Sequence, residues 1–272
     1  MASSQAHPEF EQLVASVEDT YKELVIGRAS RIDGGATLWK RFISSVEAYR
    51  CSSKTDSRTV TECVNELAVA KVLTEDRTVH GNIAYEPNIL PSGKKIDFVS
   101  RCEAGHIYIE VKTVHPTTED NDSAWEDFVR RSDFHPKDVE FIAEKNWMGG
   151  AIYGDAFKSR AGFLQYALEF ESRLAEAKAE VLGAGILVFC GTGFAWSLDR
   201  LEDFVDFYYE GQHREGDHFA SMEGHSMKSK GIELKRNIDH FACLFRLNAQ
   251  ADKLKVHFPV RGPSFPSSRI YD

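Results

Sequence analysis

Three features of the chain predict an α/β protein built around a mixed central sheet. Stripes of apolar residues at helical spacing recur at 8–26, 37–50, 59–73 and 157–181. The stretch KKIDFVSRCEAGHIYIEVKTV, residues 94–114, instead alternates with a period of two around a turn glycine, the pattern of a β-hairpin. GILVFC, residues 185–190, is a continuous apolar run bounded by glycines, as expected of a strand buried on both faces. Helices interleaved with strands pack on the faces of a sheet, and the hairpin makes part of that sheet antiparallel.

Taken in order, the segment PEFEQLVASVEDTYKELVI puts Phe10, Leu13, Val14, Val17, Tyr21, Leu24 and Val25 on one stripe, with Pro8 suited to the first turn. A second helix over 37–50 turns Leu38, Phe42, Ile43, Val46 and Tyr49 inward, and 50–57 reads as a polar linker. Thr59 to Leu73 is a third helix with Val60, Cys63, Val64, Leu67 and Ala70 buried. NIAYEPNIL follows as a first strand, ended by Pro87 and Pro91. Beyond the hairpin, His115 to Asp127 is a polar, acidic loop and Phe128 to Trp147 adds a short helix or two. A long helix from Phe157 to Val181 buries Phe163, Tyr166, Ala167, Phe170, Leu174, Ala177 and Val181. A strand (185–190), a short helix (201–209), a mobile loop (212–231) and a closing hairpin (239–247 with 253–260) complete the fold. The expected organisation is a helical extension at 1–56, a main α/β domain at 57–260 and a loose tail at 261–272.

The hairpin carries the chemistry. With the pairing symmetric about Cys102-Glu103-Ala104-Gly105, Arg101 faces His106, Val99 faces Tyr108 and Asp97 faces Glu110. Opposed residues have Cβ atoms about 5 Å apart. Lys112, two residues beyond Glu110, shares its face. The other face holds Ile96, Phe98, Ile107, Ile109 and Val111, all apolar, and a slip by one residue would mix the two patterns. Two adjacent carboxylates repel, and one tends to take up a proton. A hard divalent cation, Mg²⁺ or Mn²⁺, removes that conflict, polarises a phosphoryl oxygen and lowers the pKa of bound water. Lys112 then positions and balances charge rather than abstracting a proton. The plain alternative is an exposed salt-bridge ladder, but aspartate is disfavoured in strands.

This constellation resembles the PD-(D/E)xK, or restriction-endonuclease-like, nuclease superfamily over roughly residues 59–190. Asp97 matches the first acid and Glu110-Val111-Lys112 the E-x-K tripeptide, while Ile96 stands where the family name has proline. The resemblance implies an α/β sandwich with an αβββαβ core. It also implies an acid on the helix before the hairpin, for which Glu66 is the first choice and Glu62 the second. The helix after E-x-K is expected to present a polar side chain, Gln165 in GFLQYAL, with Lys158 and Arg160 as alternatives. Asp97, Glu110, Glu66 and the Val111 carbonyl would be the metal oxygens. Two further E-x-K tripeptides, Glu176-Ala177-Lys178 and Glu233-Leu234-Lys235, lack a preceding acid strand.

Composition sets the remaining expectations. Five cysteines, odd in number and without a C-x-x-C, argue against disulfides and structural zinc. No apolar run approaches the roughly 20 residues of a membrane span, and the start carries no apolar leader core, so a cytoplasmic location is expected. The net charge of −9 makes the chain a poor general binder of nucleic acid. Binding would then rest on local cations such as Lys94-Lys95 and on metal. The expected function is a Mg²⁺- or Mn²⁺-dependent phosphodiester hydrolase, a DNA endonuclease, with a homodimer left open. The alternatives are a catalytically inactive nucleic-acid-binding or assembly protein on the same fold, and a phosphoesterase acting on small nucleotides.

Overall fold

The structure, a computed structural model, describes residues 8–51, 58–75, 80–102, 105–114, 151–191, 198–210, 234–246, 254–257 and 270–271. Within these, α1 (Pro8–Ile26), β1 (Ile32–Asp33), α2 (Gly35–Cys51) and α3 (Arg58–Glu75) are followed by β2 (His80–Tyr85), β3 (Phe98–Cys102) and β4 (Gly105–Val114). Then come α4 (Ala151–Glu180), β5 (Gly183–Gly191), α5 (Leu198–Glu210), β6 (His240–Arg246), β7 (Leu254–His257) and β8 (Ile270–Tyr271). The strands form one sheet in chain order. β1 pairs parallel with β2 and β2 antiparallel with β3, so the sheet is mixed.

The chain divides into two compact units, Met1–Thr113 with Phe170–Cys190 and Asn237–Asp272, and Val114–Glu169 with Gly191–Arg236. The division does not fall at residue 56. Phe10, Val14, Val17, Tyr21 and Val25 of α1, with Leu38, Phe42 and Val46 of α2, share one core with α3 and with Phe98, Ile109 and Val111 of the sheet. Burying each such large apolar side chain is worth roughly 1.5–3 kcal/mol, so the N-terminal helices are part of the sheet's own core. Gly35 allows α1 and α2 to meet, since a Cβ there would lie 2.1 Å from the Val25 carbonyl oxygen. The other face of the hairpin is also covered. Tyr108 is 1% exposed, and its hydroxyl donates to the carbonyl of Val181 at 2.8 Å, beyond the end of α4. β4 and β5 start side by side, with the His106 N–H donating to the Leu182 carbonyl at 3.1 Å. That approach requires a glycine at 183, where a Cβ would lie 2.2 Å from the His106 carbonyl oxygen.

The second unit contains the first part of α4 and α5. There Phe163 packs on Phe204, with ring centroids 5.6 Å apart, and Arg236 donates to the Tyr208 carbonyl at 3.0 Å.

Several expectations change. The tail expected to be loose at 261–272 contains β8, which pairs antiparallel with β7 through Val256↔Tyr271 and His257↔Ile270. Val181 lies past α4 and is 41% exposed rather than buried. β2 ends at Tyr85, before either proline, because Glu86 takes a left-handed backbone (φ 43°). β3 begins at Phe98, leaving Asp97 on the residue just before it. Of the segment read as linker (50–57), Arg50 and Cys51 end α2 and 52–57 lie outside the described residues, as do the acidic loop (115–127), the short helix or two (128–147), the mobile loop (212–231) and the turn of the closing hairpin (248–251).

Candidate active site

The hairpin register is the one the alternation predicts. Arg101 pairs with His106, Val99 with Tyr108 and Phe98 with Ile109. Continued one step beyond Phe98, this register sets Asp97 opposite Glu110. Asp97 is fixed there twice: its carbonyl accepts the Glu86 N–H at 2.8 Å, and its Oδ2 accepts the Val111 N–H at 2.7 Å. The bond to Val111 orients the carboxylate across the strand gap.

Glu110 is completely buried. Its Oε1 receives Lys112 Nζ at 2.7 Å and Arg173 Nη2 at 2.7 Å. Among the described residues its buried Oε2 has no hydrogen-bond partner, a condition that needs a reason in a folded protein. Arg173 is itself anchored by the Lys95 carbonyl at 2.8 Å. It comes from α4 two turns beyond Gln165, which is exposed and donates to Glu169 at 3.0 Å. Arg173 is thus the α4 side chain that meets Glu110, while the side chains of Lys158 and Arg160 lie outside the described residues. No local signal marked Arg173, because its partners are 63 and 78 positions away.

On α3, Glu66 is 5% exposed and Glu62 is half-buried. Both Glu66 oxygens accept from Arg41 Nη1, at 2.8 and 2.9 Å, and Oε2 also accepts the Tyr85 hydroxyl at 2.8 Å. Arg41 comes from α2 and Tyr85 from β2, and the sequence reading singled out neither. Tyr85 carried a signal that could have been used: it is an aromatic residue whose hydroxyl needs a partner when the ring is buried, as it is at the end of β2.

The electrostatics tie these groups together. Burial, then Glu110, then Glu66 push the Asp97 carboxyl well above its ordinary range, against the pull of Lys112 and the Val111 N–H. Burial also raises Glu66, and Arg41 and the Tyr85 hydroxyl oppose it. For Lys112, burial works against the ammonium, but Glu110 and Asp97 outweigh it and hold the pKa above normal. These two acidic neighbours favour the ammonium form of Lys112.

A divalent ion suits this donor set in one respect and meets an obstacle in another. Hard carboxylate oxygens, one of them buried and unbonded, sit where Glu110 and Glu66 repel Asp97, and a cation would relieve that repulsion. As the side chains stand, though, Glu66 is turned to Arg41 and Glu110 to two cations. Among the described residues no three His, Cys, Asp or Glu side chains form a ready metal group. An ion would enter by displacing a cation already present. Among the described residues no helix is long and apolar enough to cross a membrane. The chain matches no protein-family model, no curated protein and no solved structure.

Proposed function

We propose that the protein is a metal-dependent nuclease of the PD-(D/E)xK type that hydrolyses phosphodiester bonds, with DNA as substrate. One observation carries the reading: on a single hairpin the Asp97 carboxylate accepts the Val111 N–H at 2.7 Å and Glu110 meets Lys112 at 2.7 Å, with a helix acid, Glu66, close enough to oppose ionisation of Asp97. The order helix, strand, hairpin, helix, strand on a mixed sheet supports it. In this reading Asp97 and Glu110 hold Mg²⁺ or Mn²⁺, with the Val111 carbonyl and Glu66 as further oxygens. When bound, the ion supplies phosphoryl polarisation and an acidified water. Lys112, kept protonated by its two acidic neighbours, orients the attacking water and balances charge that builds up on the phosphate. Arg173 holds Glu110 in place. The Val111 N–H fixes the Asp97 carboxylate, and Lys94 and Lys95, separated from Asp97 by Ile96, offer cations to the nucleic-acid backbone.

A second reading, a non-catalytic nucleic-acid-binding or assembly protein on the same fold, draws support from the two glutamates that already have cationic partners. Supercoiled plasmid, linear DNA and RNA incubated with Mg²⁺, Mn²⁺ or EDTA separate the two. Metal-dependent nicking should appear in the parent protein and fall at least about a hundredfold in both Asp97→Asn and Lys112→Ala, in line with loss of one preorganised charged group. Binding without cleavage under every metal would favour the assembly protein.

A further inference from the structure

Arg41 reaches the site from a part of the chain with no assigned role. Its Nη1 touches both oxygens of Glu66, at 2.8 and 2.9 Å, and the Tyr85 hydroxyl at 3.1 Å. The same nitrogen lies 3.8 Å from Glu86 Oε1. A single terminal nitrogen has two hydrogens, so this grip is not the two-nitrogen fork that makes arginine–carboxylate pairs strong. The Arg41 side chain is also 40% exposed, while that of Glu66 is 7% exposed. A second acceptor stands ready beside it. Glu86 is a non-glycine residue in left-handed backbone at the end of β2, a conformation uncommon enough to ask for a reason. There its N–H bonds the Asp97 carbonyl and its carboxylate lies between Arg41 and Lys95, the latter at 3.3 Å.

We infer that Arg41 is a positioning residue that holds Glu66 in the ion-free protein and competes with the divalent ion for it. When the ion engages Glu66, Arg41 passes to Glu86. The inference rests on the metal-dependent reading above. Arg41 keeps a buried carboxylate charged and aimed while no ion is present, and Glu86 keeps the displaced guanidinium from being left unpaired. Since the ion and Arg41 exclude each other at Glu66, they are negatively coupled, and the coupling is reciprocal.

The test reads Mn²⁺ binding directly, by calorimetric titration of the full chain, alongside melting in EDTA and in saturating Mn²⁺. Arg41→Gln should bind Mn²⁺ more tightly than the parent, by about fivefold or more, the low end of typical coupling between linked sites. It should melt lower in EDTA and regain the loss when Mn²⁺ is added. Arg41→Lys, which keeps the charge, should return affinity towards the parent value. Glu86→Gln removes the second acceptor and should weaken Mn²⁺ binding. A merely structural Arg41 would leave affinity unchanged or weaken it, and that result in a folded Arg41→Gln overturns the inference alone if the parent still binds Mn²⁺ in a manner abolished by Asp97→Asn. A parent that binds no Mn²⁺ overturns both this inference and the metal-dependent reading.

Discussion

The same tripeptide behaves in opposite ways at two places in the first unit. In β4, Glu110 and Lys112 are two residues apart on a strand, so they share a face, and their charged atoms meet at 2.7 Å. In α4, Glu176 and Lys178 have the same spacing on a helix, where positions two apart do not face each other. Glu176 turns to Ser92, accepting its N–H at 2.5 Å and its hydroxyl at 2.7 Å. Lys178 turns to Asp239 at 2.6 Å and to the Asn237 carbonyl at 3.0 Å. Asp239 takes a second bond from the Gly185 N–H at 2.6 Å. The helical pair is split between two unrelated tethers that pin loops to the helix. The strand pair is concentrated, with Glu110 fully buried next to a second acid, Asp97, and, among the described residues, left with one carboxylate oxygen unbonded. Residue spacing has chemical meaning only together with the period of the element that carries it.

The contrast breaks most sharply at Glu110. Replacing it with alanine leaves Lys112 and Arg173, which already repel each other, without the carboxylate between them. Removing one partner of a buried ion pair costs about 3–5 kcal/mol, so urea unfolding of Glu110→Ala should show a loss of that order. Glu176→Ala should unfold at nearly the parent's midpoint, because its carboxylate is out in solvent and only tethers a turn. Equal losses in the two variants would mean that Glu110 is as dispensable as a surface tether.

A smaller effect comes from Asp97 and depends on pH. Its carboxyl is raised in the folded protein, so the folded state holds the proton more tightly than the unfolded chain, where the ordinary value is about 3.9. The stability this contributes is complete below the unfolded value and is lost as pH rises through the raised folded value. An asparagine in its place carries no charge to be repelled. In EDTA, Asp97→Asn should therefore melt close to the parent near pH 4 and above it at pH 7, with the gap opening between. A gap that closes or reverses as pH rises would mean that Asp97 is not crowded by Glu110 and Glu66.

Much of this arrangement could be read from local pattern. The α1 stripe at Phe10, Val14, Val17, Tyr21 and Val25 is buried as its period demands, and the hairpin register follows from an apolar face that tolerates no slip. Glu66 over Glu62 follows from its place beside the α3 stripe. What escaped has a common cause. Arg41, Tyr85, Glu86 and Arg173 enter the site through tertiary contacts, such as the 25-residue separation of Arg41 from Glu66, and nothing in their own neighbourhoods announces those partners. The α4 residue was assigned to Gln165 by resemblance, whereas the packing of α4 brings Arg173 to Glu110. β8 escaped because two residues carry no readable alternation, and it exists only by pairing with β7.

The finest test of the comparison is a pair of double-mutant cycles. Glu110→Gln with Lys112→Met removes two groups that touch, so the combined loss in unfolding free energy should differ from the sum of the single losses by about 1 kcal/mol or more, within the range for contacting residues. Arg173 remains to serve Glu110 when Lys112 is lost, so the coupling should grow further in an Arg173→Met background, where Lys112 becomes the remaining cation on Oε1. Glu176→Gln with Lys178→Met removes two groups whose partners, Ser92 and Asp239, are unshared, so those losses should simply add. Additivity in β4 would show that the 2.7 Å contact is energetically empty. Coupling in α4 would show that the helical pair communicates after all, and the difference in period would no longer explain why one tripeptide builds a site and the other does not.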